Sequence, residues 1–161
     1  MRTPEDWKDG EKIIGACMNC ASYENLSKTM GELDDAGIDL YHLDIMDGTF
    51  VPNIALGPQD VSAIRKLTDR VCDVHLMVRD AARYVDTFVR LGAQIVHVHG
   101  EEDSQVTRTL QHIRDIWCQV QPCNQSLHFI RDRQGSSQRM RLRISYARQP
   151  WFCRPEGSSV R

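Results

Sequence analysis

The sequence has no run of about 18 apolar residues, no secretory signal at its start and no lysine after residue 115. Without a long apolar run, an ordinary membrane-spanning helix is excluded. The first residues, MRTPEDWKDGEK, are acidic and polar and lack the apolar segment of a secretory signal. We therefore expect a cytoplasmic protein with no membrane partner. Its 161 residues suffice for one domain with a core.

Charge is distributed unevenly along the chain, although the net charge is only −2. Residues 1–115 hold 12 Lys and Arg against 20 Asp and Glu, which gives −8. Residues 116–161 hold 8 Arg against one Asp and one Glu, which gives +6. The two parts differ in kind, and we divide the chain into residues 1–115 and a tail of residues 116–161.

Residues 1–115 alternate short apolar runs with segments whose apolar residues follow helical spacing. Ser22 and Asp80 are the predicted N-caps of two helices, and Gly92 is a predicted C-terminal stop. Four strand–helix units in a row indicate a parallel sheet with right-handed crossovers. The pattern fits either an open sheet or the first half of an eight-stranded barrel. The predicted strands are 12–18, 38–46, 71–78 and 93–100, and the predicted helices are 23–36, 58–68, 80–92 and 103–115.

The tail is rich in Arg, Ser and Gln and has no amphipathic period. This composition favours an irregular, poorly ordered segment. A nucleic-acid-binding arm is the sharper alternative, since arginines and aromatics can bind phosphates and stack on bases. The arginines follow no stripe, so we expect no nucleic-acid partner.

Two predicted strands carry pairs of potential metal ligands. His42 and Asp44 are two residues apart and share a face, and so do Asp73 and His75. If the strands are parallel neighbours, His42, Asp44 and His75 converge. Imidazole and carboxylate ligands suit a divalent Zn, Fe, Mn or Co ion. Asp73 is either a further ligand or a buried group that orients one. The alternative is that these are unrelated polar residues at strand ends.

The position of the pairs favours a site. His42 and Asp44 lie just before the Asp47-Gly48 turn, and active sites of α/β folds form at the carboxyl ends of strands. Met46 and Met77 each follow a candidate ligand by two residues, and core packing is the simpler interpretation for both.

Other candidates carry weaker signals. Cys17 and Cys20 form a C-x-x-C pair, but no second pair follows, so coincidence is favoured over redox or zinc chemistry. His97 and His99 share a face of the fourth strand. His99 can approach the carboxyl end, and one of the two is expected to be structural.

The strings YHLDIMDGTFVPNIALGP, CDVHLMV and RYVDTFVRLGAQIVHVH resemble the ribulose-phosphate 3-epimerase family, which includes the allulose-6-phosphate 3-epimerases. The resemblance covers about residues 12–115. It implies a (β/α)8 barrel and epimerisation at carbon 3 of a phosphorylated ketose through a cis-enediolate, with one divalent metal. Ribulose 5-phosphate is the substrate it favours, and allulose 6-phosphate is the alternative.

By position, His42, Asp44 and His75 match three of the family's four protein ligands to the metal. Asp44 also matches one of two acid/base aspartates on opposite faces of the sugar. Cys17 stands where the family usually has a serine. The resemblance makes Cys17, Met46 and Met77 candidate substrate-binding residues.

Several family features are missing. No V-D-G string, which carries the fourth ligand and the second acid/base aspartate, follows residue 115. The glycine-rich phosphate loops are also missing from this sequence. We therefore expect a truncated, weakly active or inactive version, and a half-barrel of this kind would expose strand edges that a second copy could cover. A non-catalytic protein with a basic interaction tail is the alternative.

The tail also fits a shifted reading frame. Residues 149–156, QPWFCRPE, when reverse-translated and read one nucleotide later, permit N-P-G-F-A-G-Q-K, which resembles the family's phosphate-side loop. In the same offset, PCNQS permits A-I-N-P, as on the family's fifth strand, and the two asparagines fall 24 positions apart (149 minus 125). Chance compatibility of degenerate codons is the alternative. We expect a frame change between about Asp115 and Trp117.

Overall fold

The computed structural model describes residues 4–8, 11–100, 103, 105–120 and 129–131. Within them lie four α-helices and six strands, together with 3-10 turns at Pro4–Asp6 and Met18–Cys20. The helices are α1 (Leu26–Asp35), α2 (Pro58–Leu67), α3 (Ala82–Arg90) and α4 (Val106–Val120). The strands are β1 (Gly15–Cys17), β2 (Leu40–Asp47), β3 (Ile54–Ala55), β4 (Val71–Met77), β5 (Ile95–His99) and β6 (Phe129–Arg131).

The strands form one sheet in the order β1-β2-β4-β5-β6, and every pair along this path is parallel. The two-residue β3 pairs with β2 in the antiparallel direction. Helices α1 to α4 alternate with the strands along the chain, as the sequence pattern predicts. The prediction of a parallel α/β sheet is confirmed, and the arrangement is consistent with the first half of a (β/α)8 barrel.

Helix starts differ from the predicted caps. Ser22 does not cap α1. Instead, the Asn25 side chain accepts a hydrogen bond from the Lys28 backbone N–H at 3.1 Å, so the helix begins three residues later than that cap implied. Asp80 does not cap α3 with its side chain, because its backbone is left-handed (φ 56°) and Ala81 takes the cap position. The predicted stop at Gly92 is confirmed, since this residue has φ 96° directly after the helix.

Two elements enter the segment assigned to the tail. Helix α4 continues five residues past its predicted end at residue 115, and β6 adds a strand parallel to β5. The sequence pattern predicted the first part of α4, but neither its extension nor β6. Most of residues 116–161, with the expected basic arm, lies outside the described residues.

The two faces of the sheet separate apolar from polar chemistry. One face packs Tyr41 and Leu43 of β2 and Leu76 of β4 into the main core, with Ile64 of α2 and Phe88 of α3. These side chains are almost fully buried. The alternating residues of the same strands therefore point to the other face, where the candidate ligands lie.

That second face is layered. Leu40, Val71 and Ile95 form a buried apolar cluster at its base, against which Trp7 and Ile13 pack. Each strand then continues with polar residues toward its carboxyl end. The apolar layer of Leu40, Val71 and Ile95, the apolar floor, thus lies beneath a polar cluster. The cluster consists of His42, Asp44, Asp73, His75, His97 and His99. In the part of the chain that the structure describes, no helix has the length and apolarity to cross a bilayer.

Candidate metal centre

Strand register brings the candidate ligands of β2 and β4 together. Asp44 lies opposite His75, and His42 lies opposite Asp73. Asp44 Oδ1 lies 3.0 Å from His42 Nε2 and 2.9 Å from His75 Nδ1. One ligand atom from each of His42, Asp44 and His75 lies within 4.8 Å of the other two. Two imidazole nitrogens and a carboxylate oxygen are therefore directed at one small volume, which is the donor set of a divalent transition metal.

Asp73 lies behind His42 and orients it. The side chain is 1% exposed, and Oδ2 accepts a hydrogen bond from His42 Nδ1 at 2.8 Å. When His42 is neutral, as metal binding requires, its proton lies on Nδ1 and the Nε2 lone pair faces the cluster. This is the carboxylate–histidine arrangement that commonly supports a metal-binding imidazole. Of the two roles that the sequence left open for Asp73, the geometry favours the orienting one.

His97 contacts the second oxygen of the Asp73 carboxylate. Its Nε2 lies 2.7 Å from Asp73 Oδ1, so Asp73 bridges two histidines. His97 thus supports the cluster from β5 and lies outside the group of three whose ligand atoms converge.

His99 contacts the cluster from the carboxyl end of β5. Its Nε2 lies 2.8 Å from His75 Nε2, and the two rings meet edge to edge with centroids 4.9 Å apart. Phe50, from the loop after β2, lies 4.7 Å from the His99 ring. The sequence placed His99 near this end of the strand but gave no indication that it contacts His75. Its period-two spacing from His97 was the only available signal.

Asp47 holds the rim of the site. Its Oδ1 accepts hydrogen bonds from the backbone N–H groups of Thr49 (2.8 Å) and Phe50 (3.0 Å), and its Oδ2 accepts one from that of Arg79 (2.8 Å). These three N–H groups, with Arg79 first, lower the pKa of the carboxyl. The sequence identified this residue only as a turn former.

Hydrogen bonds and opposite charges within the cluster stabilise the charged forms of His42, Asp44 and Asp73. Burial alone would lower the pKa of His42, but the hydrogen bonds and charges of Asp44 and Asp73 raise it to about 10. Burial would raise the pKa values of both carboxyls, but their histidine partners hold them well below the usual range. The carboxylates are therefore ionised at neutral pH, as metal binding requires.

Cys17 lies at the edge of the cluster. It is a free thiol opposite His42 in register, and its Sγ lies 3.4 Å from Asp44 Oδ2. Burial and the adjacent Asp44 charge raise the pKa of this thiol. Cys17 is not joined to Cys20, so the C-x-x-C pair forms no disulfide. Contact of Cys17 with a substrate stays a prediction.

Met46 and Met77 lie opposite each other in register, one layer beyond Asp44 and His75 on the same face. Met77 is buried, and Met46 is half-buried. The pair lies at the carboxyl end of the cluster, and a substrate contact by either residue stays a prediction.

Known proteins match the part of the chain that carries this site. The sequence model of the Ribulose-phosphate 3 epimerase family matches residues 13–125. Ribulose-phosphate 3-epimerase of Synechocystis sp. is 41% identical over 106 residues, which are 65% of this chain and 46% of that protein. The enzyme of the same name from Bacillus subtilis is 41% identical over 95 residues (59% and 44%). The chloroplastic ribulose-5-phosphate-3-epimerase of Arabidopsis thaliana is 39% identical over 106 residues (65% and 38%). The matched part of the chain thus spans less than half the length of these three relatives.

Proposed function

The chain belongs to the ribulose-phosphate 3-epimerase family, and on that premise we propose that residues 15–99 carry the metal-binding half of a ketose-phosphate 3-epimerase site. The substrate is a phosphorylated ketose, ribulose 5-phosphate by similarity to the named relatives, with allulose 6-phosphate as the alternative. The convergence of His42 Nε2, Asp44 Oδ1 and His75 Nδ1 is the observation that carries the proposal.

The residues present fit a divalent metal. His42 and His75 supply imidazole nitrogens, Asp44 supplies an ionised carboxylate, and Asp73 orients His42. Zn, Fe, Mn and Co all accept this donor set. When bound, such an ion would act as a Lewis acid and stabilise negative charge on the substrate oxygens next to the reacting carbon.

Asp44 is the proposed acid/base group on one face of the sugar. Its two oxygens have different surroundings: Oδ1 faces both imidazoles, and Oδ2 is directed at Cys17. One oxygen can thus hold the metal while the other takes or returns the proton at carbon 3. Cys17, Met46 and Met77 would border the substrate.

Inversion at carbon 3 needs a second carboxylate on the opposite face, because a group that only removes and returns a proton on one face preserves the configuration. The V-D-G string that would supply it does not occur after residue 115. We therefore expect the 161-residue polypeptide, tested by itself, to show little or no epimerisation. Association with a second copy, as a homo-oligomer, stays a prediction.

Two measurements test the proposal. Isothermal titration of the metal-free chain with Zn²⁺ should show one site, and Asp44→Asn should abolish it. In D₂O, NMR of ribulose 5-phosphate with the zinc-loaded chain should show at most deuterium incorporation at carbon 3 with retained configuration. Absence of zinc binding by the wild type would refute the metal site. Zinc-dependent formation of xylulose 5-phosphate would refute the expectation of inactivity.

We also propose that residues from about 116 onward derive from a change of reading frame. The compatible codons for an N-P-G-F-A-G-Q-K loop and an A-I-N-P strand, both in one offset, support it. The nucleotide sequence across codons 114–118 and some 300 bases downstream is the test. Continuation of the offset frame to a V-D-G string is the expected result, and a single uninterrupted frame without such a string would refute it.

A further inference from the structure

His99 lies next to the proposed metal ligand His75 without facing the convergent volume itself. Its Nε2 is 2.8 Å from His75 Nε2, on the side of the His75 ring opposite to the Nδ1 that faces Asp44. His42 has a carboxylate, Asp73, in the equivalent supporting position. The two ligand histidines are thus supported by different chemical groups.

An imidazole in this position can serve two states of the site. Without a cation, the proton of a neutral His75 lies on Nδ1 and is donated to the Asp44 carboxylate, so His75 Nε2 accepts from His99. With a cation at His75 Nδ1, the proton lies on Nε2, and His99 must accept a hydrogen bond from this N–H group. A lysine would serve only the first state and a carboxylate only the second, whereas a histidine serves both by exchanging tautomers.

We propose that His99 is a positioning residue that fixes the orientation of the His75 ring and accepts a hydrogen bond from its Nε2–H when Nδ1 binds a divalent cation. This inference rests on the proposed function, because it takes His75 as a metal ligand. Partners of this kind typically contribute a factor of about 10 to 100 in metal affinity.

The surroundings of His99 keep it in place. Its ring is nearly coplanar with that of His75, with an interplanar angle of 24°, and Phe50 packs on it with ring centroids 4.7 Å apart. Asp47 holds the backbone of Phe50 through the Phe50 N–H. A phenylalanine at position 99 therefore keeps an aromatic ring against Phe50 and loses the hydrogen bond to His75.

Zinc affinity of the full 161-residue chain, measured by competition with a chromophoric chelator, tests the inference. His99→Phe should bind zinc about 10 to 100 times more weakly than the wild type. His99→Gln, whose amide can both donate and accept, should stay within about threefold of the wild type. The matched control is His112→Phe, since His112 of α4 is half-exposed and pairs with Asp86 of α3. Its zinc affinity should not change.

Nitrogen-15 NMR of the wild type gives a second readout that needs no substitution. In the zinc-loaded chain, the His75 ring should carry its proton on Nε2 and the His99 ring on Nδ1. Zinc affinity of His99→Phe within threefold of the wild type, or a zinc-bound His75 with its proton on Nδ1, would overturn the inference alone. A wild type that binds no zinc would instead overturn the proposed function.

Discussion

Replacing Asp73 with asparagine removes one buried negative charge that two histidines share. Asp73 is 1% exposed, and its oxygens lie 2.8 Å from His42 Nδ1 and 2.7 Å from His97 Nε2. Asparagine has nearly the same shape but a single acceptor oxygen. With asparagine, the charged hydrogen bond from His42 becomes a neutral one, and the contact with His97 loses its negative charge.

The expected loss follows from these two contacts. Hydrogen bonds to charged groups contribute about 1.5–3 kcal/mol each, and neutral ones about 0.5–1.5 kcal/mol. Exchanging the charged hydrogen bond for a neutral one costs about 1–1.5 kcal/mol, and losing the negative charge that faces His97 costs about as much again or more. The free energy of unfolding should therefore fall by about 2–4 kcal/mol, a large fraction of the roughly 5–15 kcal/mol typical of a domain. Because His42 loses its orienting carboxylate, zinc affinity should also fall about 10- to 100-fold.

Urea unfolding at pH 7 in the presence of EDTA measures the first effect, and chelator competition measures the second. Asp86→Asn is the matched control. Asp86 lies 2.7 Å from His112 Nε2, but both side chains are nearly half-exposed, so we expect a change below about 1 kcal/mol. If Asp73→Asn lowered the unfolding free energy by no more than this control, the argument from buried charge would be wrong.

Three further predictions concern pH, the core and a turn. The contribution of His42 to the free energy of unfolding is fully present below its ordinary pKa of 6.5 and is lost as the pH rises through about 10. The contributions of Asp44 and Asp73 have the opposite pH dependence and are lost as the pH falls below about 4. In EDTA the unfolding free energy should therefore fall from pH 7 to 10, and a flat urea-unfolding profile over this range would contradict the expectation. Zinc affinity should rise over the same range, because fewer protons compete for His42. Tyr41→Phe should cost about 1–2 kcal/mol in urea, because the buried hydroxyl bonds to Met30 O and Asp34 Oδ1, whereas Tyr84→Phe on the surface should cost almost nothing. Gly92→Ala should lower the unfolding free energy by about 1–2 kcal/mol, because φ is 96° and the new Cβ would lie 2.9 Å from Arg65 Cδ. Gly31→Ala inside α1 is the control, because its new Cβ meets nothing within 4 Å, and it should raise the unfolding free energy by about 0.5–1 kcal/mol. Equal melting temperatures of the two variants would refute this expectation.

The fold was predictable where local pattern and tertiary packing agree. Apolar runs located β1, β2, β4 and β5, and helical spacing located α1 to α4, the last of them short of its observed end. Prediction failed where a single side chain decides between competing geometries: Asn25 rather than Ser22 caps α1, and Asp80 takes a left-handed backbone. It also failed for β6, whose segment carries no periodic signal.

The candidate site was predictable to the level of strand periodicity. Spacing of two residues on β2 and β4, with a parallel register, sufficed to bring His42, Asp44 and His75 together. The support from β5 was not predictable in detail. His75 lies opposite His97 in backbone register, but its ring contacts His99, because side chains of twisted strands lean along the strand direction.

Metal binding and epimerisation should be separable in this chain, because they depend on different parts of the sequence. The three converging donors come from β2 and β4, and the groups that orient two of them, Asp73 and His99, come from β4 and β5. These strands are neighbours in one sheet with an apolar floor of their own. Inversion at carbon 3, by contrast, requires a carboxylate on the other side of the sugar. A chain that binds zinc tightly while leaving the configuration at carbon 3 unchanged is therefore the combined outcome that the geometry predicts.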